Sequence, residues 1–299
     1  MSTDTPALRI TGLVKDYGDV HAVRGIDLEV RRGEVYGFLG PNGAGKTTTI
    51  RCLLDLLRPT AGRIEVLGLD PRRDGVELRR RVAYVPGELR LPERMTGAQL
   101  VASIGRLRGG FDRRRRDELA ARLGLDLGRR TRDLSSGNRR KVAVLLAFLA
   151  GAELLVLDEP TNGLDPLIQH EFLRLVREVR AAGVTVFLSS HVLSEVQRAA
   201  DRVAVLRAGK VVAQGTVDEL RGQARQRVDV WFEGDAPGAE LAAVPGIEDP
   251  LIEGHRFAAV VSGPIQPLLA LLARHPVVSA LIEEPDLEDA FLDLYGEAS

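Results

Sequence analysis

The sequence predicts an α/β fold: a mainly parallel sheet, an inserted helical subdomain and a small α/β domain after it. Three observations carry this. Short apolar strands alternate with helical stretches as far as about residue 206, a pattern that calls for crossover helices between parallel strands. From about Arg94 to Asp133 the strand signal nearly vanishes and arginine-rich helical spacing replaces it. The charge balance then breaks near residues 225–235. From Glu233 onward there are 13 Asp and Glu against only Arg256 and Arg274, a local balance of −11, against +10 upstream. The 299-residue length suits one large domain and one small one. The expected division is residues 1–222, with the helical subdomain at about 94–150, and residues 223–299 as an acidic accessory domain.

Leu8 to Val14 reads as a strand, and Gly33 to Leu39 as a second that runs into a glycine-rich turn. A helix follows from about Lys46 to Leu57, stopped by Pro59 and Gly62. Ile64–Leu67 and Val82–Val85 are further strands, separated by a charged segment. Beyond the helical subdomain come a helix at about Asn138–Ala150, a strand at Leu154–Leu157 and a helix at Pro166–Ala181. Asp165-Pro166 is a strong helix start, because aspartate caps free backbone N–H groups and proline suits the first helical position. Val184–Leu188 and Val203–Leu206 complete this strand set. From about Arg227 the order reads strand, strand (Arg256–Val261), helix (Ile265–Arg274), strand (Val277–Glu283), helix (Leu287–Tyr295). Leu287, Ala290, Phe291 and Leu294 share one face of the last helix.

An apolar fraction of 44% and a charged fraction of 28% are ordinary for a globular protein with a packed core. The most apolar run, Val142–Ala152, is far shorter than the ~20 residues a membrane-spanning helix needs. Met1–Leu8 lacks the basic cluster and apolar stretch of a secretory signal, so a cytoplasmic protein is expected. The single cysteine, Cys52, excludes an internal disulfide framework and fits a reducing compartment as a buried thiol. The acidic tail disfavours nucleic acid and anionic lipid as partners there. The Arg113–Arg116 run reads as a solvated helix face, with lipid or a partner protein as the alternative.

Gly40-Pro41-Asn42-Gly43-Ala44-Gly45-Lys46-Thr47 fits G-x-x-x-x-G-K-[ST] and sits between a strand and a helix, where a phosphate-binding loop must sit. Its glycines let the backbone curl so that successive N–H groups face phosphate oxygens. Lys46 supplies charge for the β- and γ-phosphates of ATP, Thr47 a hydroxyl for Mg²⁺, and Thr48 joins them as a nucleotide-binding residue. Leu154-Leu155-Val156-Leu157-Asp158-Glu159 is an apolar strand that ends in two carboxylates. Asp158 is placed to hold the metal's water shell, and Glu159 to take a proton from an attacking water.

Leu134-Ser135-Ser136-Gly137-Asn138 precedes an apolar helix and on its own could be no more than a cap. In this order along the chain it resembles the signature motif of ABC ATPases. Asp158-Glu159-Pro160-Thr161-Asn162-Gly163-Leu164-Asp165-Pro166 resembles that family's second Walker motif and D-loop, and Ser189-Ser190-His191 its switch histidine. Tyr17, in Lys15-Asp16-Tyr17-Gly18, matches its adenine-stacking aromatic. The resemblance spans about residues 8–220. It implies an ATPase that works as a head-to-tail homodimer, each ATP lying between one subunit's phosphate loop and the other's signature motif. Ser135, Ser136 and Gly137 would then contact nucleotide across the interface, and Asp165 and His191 would link the two sites. The implied partner is an integral membrane permease, which would hold the chain peripherally on the inner face of the cell membrane.

Two departures stand out. The family's second signature glycine and its glutamine are Ser136 and Asn138 here. The glutamine that usually follows the Tyr84-Val85-Pro86 strand end is Gly87, with Glu88 beside it, so these two are the candidate coupling residues toward metal or permease. The segment Asp286-Leu287-Glu288-Asp289-Ala290-Phe291 resembles the C-terminal part of ATP-binding subunits of bacterial drug and antibiotic exporters, which tilts the expectation to export. The alternative class is a soluble ABC ATPase acting on ribosomes or DNA. One phosphate loop, and no room for long coiled coils between Lys46 and Asp158, weigh against it. A regulatory ATP-binding module without turnover is disfavoured by the presence of Glu159. The accessory domain is expected to stabilise the dimer, with covering the nucleotide site or binding the permease as its other possible roles.

Overall fold

The computed structural model describes residues 5–222 and 226–283. The chain divides between Gln214 and Gly215 into two compact units.

The first unit opens with β1 (Leu8–Tyr17) and β2 (Val20–Val30), followed by β3 (Val35–Leu39), α1 (Lys46–Leu53) and β4 (Ala61–Val66). β1 pairs antiparallel with both β2 and β4 in a three-stranded sheet. β2 is longer than any strand read from the sequence and was absent from that reading. Ile26, Leu28 and Val30 alternate inward, but Gly25, at φ 78°, breaks the period of two after Val23. A further helix, α2 (Gly75–Arg81), occupies the charged segment before β5 (Val82–Val85).

The larger sheet adds β6 (Leu154–Asp158), β7 (Thr185–Ser190), β8 (Arg202–Arg207) and β9 (Lys210–Thr216), in the order β5-β6-β7-β3-β8-β9. The pairs β5/β6, β6/β7, β3/β7 and β3/β8 are parallel, as expected. Every residue of β3, β6 and β7 is buried, which explains their continuous apolar runs. β9, missed in the sequence, is an alternating strand joined to β8 through Ala208 and Gly209, both at positive φ as a tight hairpin turn requires. Leu39 lies opposite Ser190, and Asp158 opposite Ser189. That register gathers the phosphate loop, the two carboxylates and His191 at the carboxyl ends of neighbouring strands, where open α/β sheets form their ligand crevices.

The inserted helices are α3 (Gly97–Leu107), α4 (Arg113–Arg122) and α5 (Ser136–Leu149). Thr96 and Gln99 form a reciprocal capping box on α3, and Asp112 caps α4. α5 begins two residues earlier than expected because the Ser135 hydroxyl accepts from the Asn138 N–H at 3.2 Å. Leu100, Leu134 and Val142 form a small core for this segment. In the arginine run, Arg113 and Arg114 are exposed, while Arg115 pairs with Glu118. The unit also contains α6 (Pro166–Ala181) and α7 (Leu193–Ala199). Among the described residues, no helix is long and apolar enough to cross a membrane.

After α8 (Val217–Gly222), the second unit runs β10 (Gln226–Phe232), α9 (Gly238–Ala242), β11 (Ile247–Glu253), β12 (Arg256–Val261), α10 (Gln266–Leu272) and β13 (Val277–Glu283). Its antiparallel sheet has the order β11-β12-β10-β13, a ferredoxin-like β-α-β-β-α-β arrangement. Val228, Val230, Phe257, Val261 and Leu268 fill its core. The sequence reading lacked α9, which is only five residues long, and β11, whose largely exposed run carries Asp249 at φ 47° and Pro250. The helix expected at Leu287–Tyr295 lies outside the described residues.

Candidate active site

The loop from Gly40 to Gly45 joins β3 to α1 and needs glycine at both ends; a Cβ at Gly40 would meet the Leu206 carbonyl oxygen at 2.3 Å. Gly45 has φ 107°, and a Cβ there would meet the Ala22 carbonyl oxygen at 2.4 Å. Pro41, Asn42 and Gly43 are exposed, while Ala44 and Lys46 are buried. Lys46 turns back under the loop, donating from Nζ to the Gly40 carbonyl at 2.5 Å and the Pro41 carbonyl at 3.2 Å. Its ammonium also lies 3.1 Å from Glu159 Oε1. That oxygen receives no aligned hydrogen bond, so the contact is one of charge. Thr47 and Thr48 stand half-buried in the first turn of α1.

Asp158 ends β6 fully buried. Its Oδ1 accepts from the Ser189 hydroxyl at 2.7 Å, and its Oδ2 is buried without a protein partner. Glu159 sits at φ 48°, a left-handed conformation unusual for a residue with a Cβ. Its N–H donates to the Ser189 carbonyl and hydroxyl oxygens, each at 3.2 Å. Its Oε2 lies 2.8 Å from His191 Nδ1. Lys46, Asp158, Glu159 and His191, four separate readings from the sequence, thus form one cluster.

Gly87 packs on the other side of Asp158. A Cβ at Gly87 would stand 3.1 Å from Asp158 Oδ2, while Glu88 beside it is exposed. Tyr84, at the end of β5, has its phenol pushed up to about 12, mainly by burial and further by Asp158. Ser135 and Ser136 are exposed at the start of α5. Gly137 admits a close approach, because a Cβ there would meet the Gly163 carbonyl oxygen at 2.6 Å. Asp165 caps α6 by accepting from the Ile168 N–H at 3.0 Å, which holds its carboxyl below the usual range. Lys141 Nζ lies 3.6 Å from the same carboxylate. Tyr17 ends β1 as a residue 46% exposed, with the Lys15 ammonium 4.9 Å from the ring centre.

The sequence reading left several contributors unassigned. Ser189, which the sequence offers only as a neighbour of His191, anchors Asp158. Glu195, on α7, accepts from the Thr161 hydroxyl at 2.6 Å and the Ser190 hydroxyl at 3.2 Å, tying together the segments that follow β6 and β7. Arg140 and Lys141 are the two buried members of the Arg139-Arg140-Lys141 run that leads into the apolar part of α5, a signal the sequence does carry.

The ABC transporter family matches residues 23–162, from β2 through the two carboxylates to Asn162. The daunorubicin resistance ATP-binding protein DrrA3 of Streptomyces coeruleorubidus is 40% identical, over 97% of this chain and 96% of its own. This chain belongs to the ABC transporter family. It is an ATP-binding subunit that hydrolyses ATP, as the cluster at the carboxyl end of the sheet leads one to expect. The Nod factor export ATP-binding protein I of Ralstonia nicotianae is 34% identical over 98% of this chain and 94% of its own. The bacitracin transport ATP-binding protein BcrA of Bacillus licheniformis is 34% identical over 74% of each. A solved ATP-binding subunit of an ABC transporter superposes with a TM-score of 0.66 at 31% identity, covering 73% of this chain and 92% of its own.

The residues present fit a magnesium ion. Asp158 Oδ2 is an orphaned buried oxygen, the kind of hard donor that Mg²⁺ takes together with a hydroxyl and substrate phosphates. Among the described residues no group of three or more His, Cys, Asp or Glu side chains is arranged to hold a metal ion by itself.

Proposed function

We propose that the chain is the ATPase motor of an exporter, working as a homodimer on a separate integral membrane permease at the inner face of the membrane. The contact between Glu159 and His191 beside Lys46 carries the hydrolytic part of this reading. Lys46 already lies within the carboxylate cluster, and a γ-phosphate entering the loop would compete for its ammonium against Glu159 and two carbonyls. Glu159, released from that charge, is left to accept a proton from a water in line with the phosphorus, while His191 fixes its orientation. Asp158 and Thr47 would hold Mg²⁺, which when bound neutralises charge developing on the phosphate oxygens. Ser189 keeps Asp158 aimed through Oδ1.

ABC ATP-binding subunits dimerise and act with membrane permeases. For this chain, exposed Ser135 and Ser136 support a role for the signature turn across such a dimer, and exposed Tyr17 suits stacking on adenine. Export is supported by what the relatives are named for: daunorubicin resistance, Nod factor export and bacitracin transport. Cargo choice then belongs to the permease. An accessory domain over about residues 223–299 would stabilise the dimer, and its removal should weaken dimerisation. The deciding experiment is a pull-down of Glu159→Gln from native membranes with ATP. ATP-dependent recovery of a multi-spanning membrane protein supports the reading, and recovery of ribosomes or DNA-processing proteins without one overturns it.

A further inference from the structure

Two consecutive carbonyls converge on one buried cation. Arg140, in the second turn of α5, donates from Nη1 to the Pro86 carbonyl and from Nη2 to the Gly87 carbonyl, each at 2.5 Å. Arg140 is 7% exposed. Among the described residues no carboxylate hydrogen-bonds its guanidinium, and burial pulls its pKa below the ordinary value, offset in part by Asp158 and Glu159 nearby. A guanidinium placed so deep with neutral partners is expensive to desolvate, and a merely structural link would not need a charge.

What the cation holds is the backbone that Asp158 rests against, since a Cβ on Gly87 would stand 3.1 Å from Asp158 Oδ2. The neighbouring Lys141 reaches the other way, to Asp165 at the start of α6. The same helix is capped by Ser135 and begins with Ser136 and Gly137. One rigid rod therefore carries the serine-glycine turn at its end and, a turn later, grips the segments on either side of the carboxylate cluster.

We infer that Arg140 is a positioning residue for ATP hydrolysis: it fixes the Pro86–Gly87 backbone against the Asp158 carboxylate and so links the placement of the Ser135–Gly137 turn to the geometry of the hydrolytic site. This rests on the reading of Asp158 and Glu159 as the hydrolytic carboxylates. Arginine suits the task because its planar fork spans two adjacent acceptors, whereas a lysine ammonium is a point donor on a flexible stem. Position 87 has no side chain of its own to make a polar link, and the link runs instead from α5 to the backbone of residues 86 and 87.

The test uses the full-length protein with Arg140→Gln, Arg140→Lys and Glu159→Gln. Steady-state phosphate release gives kcat, KM and the Mg²⁺ concentration for half-maximal rate. Titration with a fluorescent ATP analogue gives affinity, and thermal unfolding reports folding. Arg140→Gln should lower kcat about tenfold or more with affinity changed by less than about threefold, because misplacing a carboxylate by a fraction of an ångström acts on turnover before binding. The Mg²⁺ requirement should rise in the same variant. Arg140→Lys should recover part of the loss; if Arg140→Gln does not fold, a kcat deficit in folded Arg140→Lys supports the inference equally. Unchanged kcat in both Arg140 variants, or kcat and affinity falling together with the folded fraction, would overturn it. Glu159→Gln separates the two readings, since retained turnover there refutes the assignment of the carboxylates whatever the Arg140 variants do.

Discussion

His191 Nδ1 lies 2.8 Å from Glu159 Oε2, so the residue after β7 holds the carboxylate after β6 in place. Without the ring, Glu159 keeps its strained backbone but loses the group that sets its rotamer. His191→Ala should cut kcat by about 100-fold, at the low end of what positioned acid–base catalysis contributes, and leave ATP affinity nearly unchanged. Phosphate release from a single turnover measures the first and analogue titration the second. A near-normal rate would remove His191 from the catalytic group.

Glu159→Gln preserves shape and removes both the base and the charge facing Lys46 at 3.1 Å. Turnover should fall by at least ~100-fold while Lys46, freed of its ion pair, binds ATP no more weakly. An ATP-bound dimer should therefore accumulate. Size-exclusion chromatography with ATP checks this, and a monomer that binds ATP normally would count against the homodimer.

Gly87 is placed so that even one methyl group matters. The added Cβ of Gly87→Ala would lie 3.1 Å from Asp158 Oδ2 and 3.3 Å from Cγ, closer than ordinary packing allows. The carboxylate must shift, and it is anchored on its other side by Ser189. The expected result is a several-fold rise in the Mg²⁺ needed for half-maximal rate, with the fold intact, a loss of roughly 1 kcal/mol or less in metal affinity. Unchanged Mg²⁺ dependence would show that Asp158 has slack the geometry does not suggest.

The parts of this site that could be read from sequence share a property: their chemistry is local in the chain. The loop Gly40–Thr47 carries its own glycines and lysine, and β6 carries its carboxylates at the end of an apolar run. Parallel strands fully buried on both faces announce themselves as apolar runs, hence β3, β6 and β7. β2 and β11 were missed because a glycine in one and Asp249-Pro250 in the other interrupt the alternation that marks a half-exposed strand. The bonds of Arg140 to the backbone of residues 86–87 and of Glu195 to the Thr161 and Ser190 hydroxyls escaped because the fold brings these partners together, and no spacing rule foretells such a side-chain bond.

Cys52, buried at the end of α1, has its thiol pushed up to about 11 by burial, so at pH 8 it stays protonated and shielded. A disulfide reagent should label it very slowly in the folded protein and within minutes after urea unfolding. Rapid native labelling at pH 8 would contradict the burial of that helix end.

Glu153 offers a pH test away from the site. Its carboxylate accepts from Arg81 at 2.6 and 2.8 Å and from Arg32 at 3.2 Å, and these hydrogen bonds, Arg81 first, hold its pKa below the usual carboxylate value. A depressed folded pKa means that the contribution is fully present above the unfolded value, about 4.3, and fades as pH falls through the lower folded value. The side chain is 46% exposed, so screening limits the effect to about 0.5–1 kcal/mol. The Glu153 main chain bonds Arg81 and Thr185 independently of the side chain, and Gln would leave those bonds intact. Glu153→Gln should therefore be less stable than the parent at pH 7 by that amount, with the difference shrinking once the pH drops below about 4. Urea unfolding of the two proteins at several pH values reads the gap directly, and a gap that stays constant down to acid pH would mean that Glu153 acts through packing instead of charge.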